Sequence, residues 1–89
     1  MRTIEGFKLR KLGNEYILVG ESMALINFNK MITLNETAAF LWKEAEKGVF
    51  DAISLTKALC EEYDVTPDTA LSDVETTIAS WKDAGVIED

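Results

Sequence analysis

The stretch Met31-Ile32-Thr33-Leu34-Asn35-Glu36-Thr37-Ala38-Ala39-Phe40-Leu41-Trp42 changes its hydrophobic period at Asn35. Met31–Leu34 is a short, β-branched apolar run of the kind that forms strands. After Asn35, Ala38, Leu41, Trp42 and Ala45 recur at i, i+3, i+4 and i+7, the buried stripe of an amphipathic helix, with Phe40 flanking it. Asn35 is suited to cap that helix, because its short side chain can accept from a first-turn N–H. Glu36 then complements the positive end of the helix dipole. Lys47 and Gly48 supply a basic last turn and a C′ glycine, which predicts the helix stop there.

Upstream, Gly6, Gly13 and Gly20 separate strand-like segments. Phe7-Lys8-Leu9-Arg10-Lys11-Leu12 interleaves apolar with basic residues, a half-buried strand with a positive outer face. Gly13-Asn14 is turn chemistry, and Glu15-Tyr16-Ile17-Leu18-Val19 is the returning strand. Met23-Ala24-Leu25-Ile26-Asn27-Phe28, the Asn29-Lys30 break and Met31–Leu34 read either as two short strands around a turn or as one bulged strand. The first third is therefore an antiparallel meander. Downstream, Ser54 is the next expected cap, followed by Leu55, Ala58, Leu59 and Tyr63. Thr66-Pro67-Asp68 places a cap, a proline at the first helical position and an early carboxylate. Leu71, Val74, Ile78 and Trp81 form the stripe of a third helix, which Gly85 ends before a short Val86-Ile87 tail. The expected class is α+β: a small antiparallel sheet followed by three helices, winged helix-turn-helix-like, with 1–89 as one domain.

Composition narrows the chemistry. The chain has 89 residues, too few for two domains, and its formal net charge is −7. Up to Leu34, Arg2, Lys8, Arg10, Lys11 and Lys30 outnumber Glu5, Glu15 and Glu21. From Asn35 onward four lysines face thirteen acids, a solvated acidic half or a docking surface for a basic partner. Histidine is absent and Cys60 is the one cysteine, so most zinc sites and every Cys–His or Ser–His catalytic pair are excluded. No catalytic residue, metal site or cofactor site is expected, and the chain is not expected to be an enzyme. Glu61-Glu62-Asp64, Glu44 and Glu46 fall where solvated helix faces belong, and Cys60 beside an apolar stripe reads as structural. The lone cysteine, the absence of a signal-peptide core and the absence of a bilayer-length apolar run point to the cytoplasm and away from membranes.

A strand–helix–helix–helix order with the short Asp64-Val65-Thr66-Pro67 turn also suits a DNA-reading winged helix. Its third helix, however, offers Asp68, Thr69, Ser72, Asp73, Glu75, Thr76 and Asp83 with Lys82 as the only base. That face repels a duplex, so a nucleic-acid partner is not expected.

Leu34-Asn35-Glu36-Thr37-Ala38-Ala39-Phe40-Leu41-Trp42 resembles the signature that opens the first helix of the PqqD family, small peptide chaperones also called RiPP recognition elements. The resemblance runs on through Ser54-Leu55-Thr56-Lys57-Ala58-Leu59, Tyr63-Asp64-Val65-Thr66-Pro67, Asp73-Val74 and Trp81-Lys82-Asp83-Ala84-Gly85-Val86-Ile87, covering the chain from about Phe7 onward. It implies a domain that binds the leader segment of a ribosomally made precursor peptide and presents it to a modifying enzyme, often a radical S-adenosylmethionine enzyme. The leader would add as a strand to a sheet edge, in a groove closed by the third helix. Edge N–H and C=O groups supply affinity and side-chain pockets supply selectivity. Met31–Leu34 is the edge the family implies, although the sequence by itself leaves the outermost strand open.

On this basis the expected peptide-binding residues are Met31, Ile32 and Thr33 through the backbone, with Val74, Thr77, Ile78 and Trp81 as groove wall. Ala70, Thr77 and Ala84, seven residues apart, line one flank of that helix. They either leave room for a peptide or allow close helix packing. Two other readings stand beside this one: a protein–protein adaptor without a leader peptide, and a winged-helix regulator. An open sheet edge also admits a homodimer.

Overall fold

The structure, a computed structural model, describes residues 1–20 and 31–89. Its elements in chain order are β1 (Arg2–Thr3), β2 (Phe7–Leu12), β3 (Glu15–Gly20), β4 (Met31–Leu34), α1 (Glu36–Ala45), α2 (Ala52–Glu62), α3 (Pro67–Ala84) and β5 (Ile87–Glu88). The α+β arrangement of a small antiparallel sheet followed by three helices is therefore present. The Met23–Phe28 strand and the Asn29-Lys30 break lie outside the described residues.

β2, β3 and β4 form an antiparallel sheet in that order, with β3 in the middle. The β2–β3 hairpin closes with Leu12 opposite Glu15. Gly13 has φ 63°, and a Cβ built on it would meet nothing within 4 Å, so glycine is needed there for its backbone angle and not for space. With positive φ at Gly13 and not at Asn14, the turn has the φ signs of a type II′ hairpin, whose twist matches that of the strands. The register pairs Ile17 with Thr33 and Leu18 with Ile32. Because the side-chain period is two, Phe7, Leu9, Tyr16, Leu18, Ile32 and Leu34 share the face toward the helices. Lys8 and Arg10 stand on the opposite face, as the alternation predicts, but Leu12 joins them there and is 61% exposed. Lys11 falls on the helix-side face and lies 5.6 Å above the ring of Tyr16, its partner across the hairpin.

Each helix starts where a side chain can satisfy its orphan donors. Asn35 Oδ1 accepts from Ala38 N–H at 2.7 Å, as expected for α1. α2 begins earlier than the Ser54 cap predicts. Asp51 is the cap, and Ser54 is the third helical residue of a reciprocal capping box, its Oγ accepting from Asp51 N–H at 3.0 Å. Thr66 caps α3 with Pro67 in its first turn, and Gly85 ends it at φ 76°, both as predicted. α1 stops at Ala45, one turn short of Gly48, and 44–48 close through bonds spanning three residues, Lys47 N–H to Glu44 O and Gly48 N–H to Ala45 O.

One cluster of buried side chains runs through both halves of the chain, joining Phe7, Leu18 and Leu34 of the sheet to Leu41, Trp42, Leu55, Leu59, Val74 and Trp81 of the helices. Trp42 and Trp81 meet edge to face at 5.2 Å, and Phe50 meets Trp81 in the same way at 6.4 Å. Burial of such side chains contributes about 1.5–3 kcal/mol each, whereas an exposed ion pair such as Lys47–Glu44 contributes about 1 kcal/mol at most. Apolar packing therefore holds the fold. The Val86-Ile87 tail proves to be structural: Ile87 is buried, and β5 pairs antiparallel with β1, placing Thr3 opposite Ile87. Met1 and Phe50 exchange backbone hydrogen bonds beside this ribbon, tying the chain start to the α1–α2 connection.

Candidate functional site

β4 pairs with β3 on one side, and among the described residues no strand pairs with its other side. Among the described residues it is thus an outer strand of the sheet. β2 is the sheet's other outer strand, but it carries Lys8, Arg10 and Lys11, and charged edges discourage strand addition. β4 carries no charge at all: Met31, Ile32, Thr33 and Leu34. Of the two edges among the described residues, β4 is the uncharged one.

At the C-terminal end of β4 the chain turns through Asn35 into α1, and a cleft of about 240 Å³ opens there between α1 and α3. Its lining is Asn35, Thr37, Asp73, Thr76 and Thr77. The Thr77 hydroxyl donates to the Asp73 carbonyl at 2.8 Å, a local back-bond that holds the side chain along its own helix. The cleft therefore offers hydroxyls, one amide side chain and one carboxylate. That set can hydrogen-bond polar or basic side chains and contains no nucleophile–base pair.

The predicted site residues divide. β4 places Met31, Ile32 and Thr33 along the open edge, with Ile32 half-buried toward the core and Thr33 exposed. Thr77 is half-buried on the cleft wall. Val74, Ile78 and Trp81 are not on a groove wall in this structure. Their exposures are 0%, 7% and 1%, and all three belong to the core cluster. The reason is helical geometry: the stripe at 74, 78 and 81 is the one that packs inward, and the cleft is left to residues about 100° away, Asp73, Thr76 and Thr77. Sequence reading passed over Thr76 and Asp73 as cleft residues. The signal was present in their offsets of one or two positions from the apolar stripe. Leu71, assigned to that stripe, lies instead at its margin and is 38% exposed.

On another side of α1, Tyr16, Glu36, Ala39, Phe40, Lys43 and Tyr63 line a smaller cleft of about 170 Å³. Phe40 and Tyr63 meet edge to face at 5.6 Å. The Tyr63 phenol is held above its ordinary 10.0, first by burial and then by the Glu36 and Glu62 carboxylates. It is a neutral hydrogen-bonding group at physiological pH and not a general base. Among the described residues no group of three or more acids, cysteines or histidines could hold a metal ion, and no helix is long and apolar enough to cross a membrane.

Comparison with known proteins agrees with this fold. The family model described as coenzyme PQQ synthesis protein D (PqqD) matches residues 15–87. Among solved structures, the chain is similar to TbiB1 in complex with the TbiA(β) leader peptide, with a TM-score of 0.77 and 17% identity. That match covers 99% of this chain and 95% of TbiB1. It is also similar to a lasso peptide synthetase B1 complexed with the leader peptide, with a TM-score of 0.73 and 19% identity over 99% and 96% of the two chains. At these identities the two structures establish a shared fold. No curated protein matches in sequence.

Proposed function

The chain belongs to the PqqD family, and from that premise we propose that it is a non-catalytic peptide chaperone, acting in the cytoplasm as one recognition domain spanning 1–89. It binds the leader segment of a ribosomally synthesised precursor and presents it to a modifying enzyme of the radical S-adenosylmethionine class. The observation that carries this reading is the uncharged strand β4, paired on one side among the described residues and ending at a polar cleft under α3. An extended leader adds to β4 through main-chain hydrogen bonds, which are indifferent to sequence. Its side chains at alternate positions then meet either the cleft or solvent, and this supplies selectivity. The two similar structures, each solved with a leader peptide, support the same reading.

In an antiparallel ladder, alternate residues of β4 direct their N–H and C=O groups to β3, and the remainder point outward. Titration with the leader of the cognate precursor is therefore expected to slow hydrogen exchange at alternate amides of Met31–Leu34. Shifts should accompany this at Asp73, Thr76 and Thr77, with half-saturation at tens of micromolar or below, as suits a transient interface. Unchanged β4 amides at saturating leader would exclude strand addition at this edge. A folded Thr33→Pro variant, which loses one main-chain donor, is expected to bind more weakly. A second copy of the chain pairing at β4 is the remaining use of the same edge. Such a homodimer would compete with the leader and appear as a concentration-dependent sedimentation coefficient.

A further inference from the structure

Ile53 is 77% exposed and Leu71 is 38% exposed, and both line a single groove between α2 and α3. The groove encloses about 470 Å³, with Thr56 and Cys60 of α2 on one wall and Pro67 of α3 on the other. Its charged margin is Glu61 and Asp68 with Lys57. Exposed Ile and Leu side chains lining the same groove are unusual on a small soluble surface, because apolar area gathered in one place favours association. The groove uses the flank of α3 at 67, 68 and 71. The β4 cleft uses the flank at 73, 76 and 77, more than 100° around the helix. Both sites can therefore be occupied at once.

We propose that this groove docks an amphipathic helix of the modifying enzyme, one with an aliphatic face and Lys or Arg along its flanks. The inference rests on the leader-presenting reading above and adds where the enzyme sits. The groove presents apolar side chains from two helices, and a third helix whose anchors at i, i+4 and i+7 lie beside Ile53 and Leu71 would cover them. Charge selects the partner. From Asn35 onward the chain has thirteen acids and four lysines, so two copies joined symmetrically through this groove would set like charge against like. A helix with basic flanks meets the opposite sign, and the acids at the margin hold it in register.

The probe is a synthetic amphipathic helix of about 15 residues with Leu at i, i+4 and i+7 and Lys elsewhere. It is compared with a peptide of the same composition in scrambled order and with a Glu-for-Lys version. The Lys helix is expected to shift the amides of Ile53, Thr56, Lys57, Cys60 and Leu71. It should also slow alkylation of Cys60, a built-in reporter because it is the chain's only cysteine. The double variant Ile53→Asp/Leu71→Asp, with unchanged circular dichroism, should bind the Lys helix at least about tenfold more weakly, since anchors of this kind dominate such interfaces. The same variant should bind the leader as the unaltered chain does, and Thr33→Pro should bind the helix normally. Equal binding of the scrambled or Glu peptide would overturn the proposal, as would shifts confined to β4 and its cleft. A dimer of the unaltered chain that Ile53→Asp dissolves would overturn it in favour of a second copy. Failure of the leader reading shows separately, as β4 amides that ignore the leader while the groove still takes the Lys helix.

Discussion

Trp81 shows how a residue's apparent role depends on its neighbours. On a helical wheel it can face a groove or a core, and in the fold it lies against Trp42 and Phe50 with 1% of its surface exposed. Trp81→Ala is therefore expected to cost about 3–5 kcal/mol, most of the stability of a domain this small, and to abolish cooperative thermal unfolding. Thr77→Ala, on the cleft wall, should leave stability within about 0.5 kcal/mol while weakening leader binding. The contrast separates structural from recognition residues on one helix. The cap residues behave in the same local way. Asn35→Ala removes the acceptor for Ala38 N–H and is expected to lower stability by about 1 kcal/mol, read as a fall of several degrees in melting temperature. Gly85→Ala forces a Cβ into the left-handed region at φ 76° and should cost about 1–2 kcal/mol.

At the scale of elements, the two outer strands among the described residues differ in charge. β2 carries three basic residues and β4 none, and the proposed function therefore assigns strand addition to β4. Placing a charge on β4 should blunt it in the same way. Thr33→Lys is exposed and compatible with the fold, and it is expected to reduce affinity for a basic leader about tenfold, measured by calorimetry at low salt. β5 illustrates the opposite case, an element too short to announce itself. Its two residues pair with β1, and buried Ile87 packs into the core. Ile87→Ala is expected to cost roughly 2–4 kcal/mol, read as a lower denaturation midpoint with an unchanged slope.

For the whole molecule, the separation of charge is the dominant property: a sheet half with five bases and three acids, and a helical half with thirteen acids and four bases. Association of the helical half with basic partners should weaken steeply with salt. Affinity for the Lys-flanked helix should fall about tenfold between low and roughly 0.5 M salt, as the screening length contracts to a few ångströms. Binding to double-stranded DNA should be absent even at low salt, because the exposed face of α3 carries Asp68, Asp73, Glu75 and Asp83. This separates the chain from winged-helix regulators, which share the order of elements but need a basic third helix.

The sequence alone determined what depends on near neighbours. The switch of period at Asn35, the Thr66-Pro67 start and the Gly85 stop are local effects of hydrogen bonding and φ. The inward stripe of α1 follows from helical geometry, and all of these were legible without a fold. The second cap was misplaced by three residues because a capping box contains two capping-type residues, and only the backbone distinguishes Asp51 from Ser54. Tertiary structure alone decided that, among the described residues, β3 lies in the middle of the sheet and β2 and β4 lie outside it, since all three are strand-like in sequence. It also decided that Val74, Ile78 and Trp81 go to the core while Asp73, Thr76 and Thr77 face the cleft. That choice is set by the rotation of α3 against its neighbours, and the packing of Trp81 on Trp42 and Phe50 fixes it.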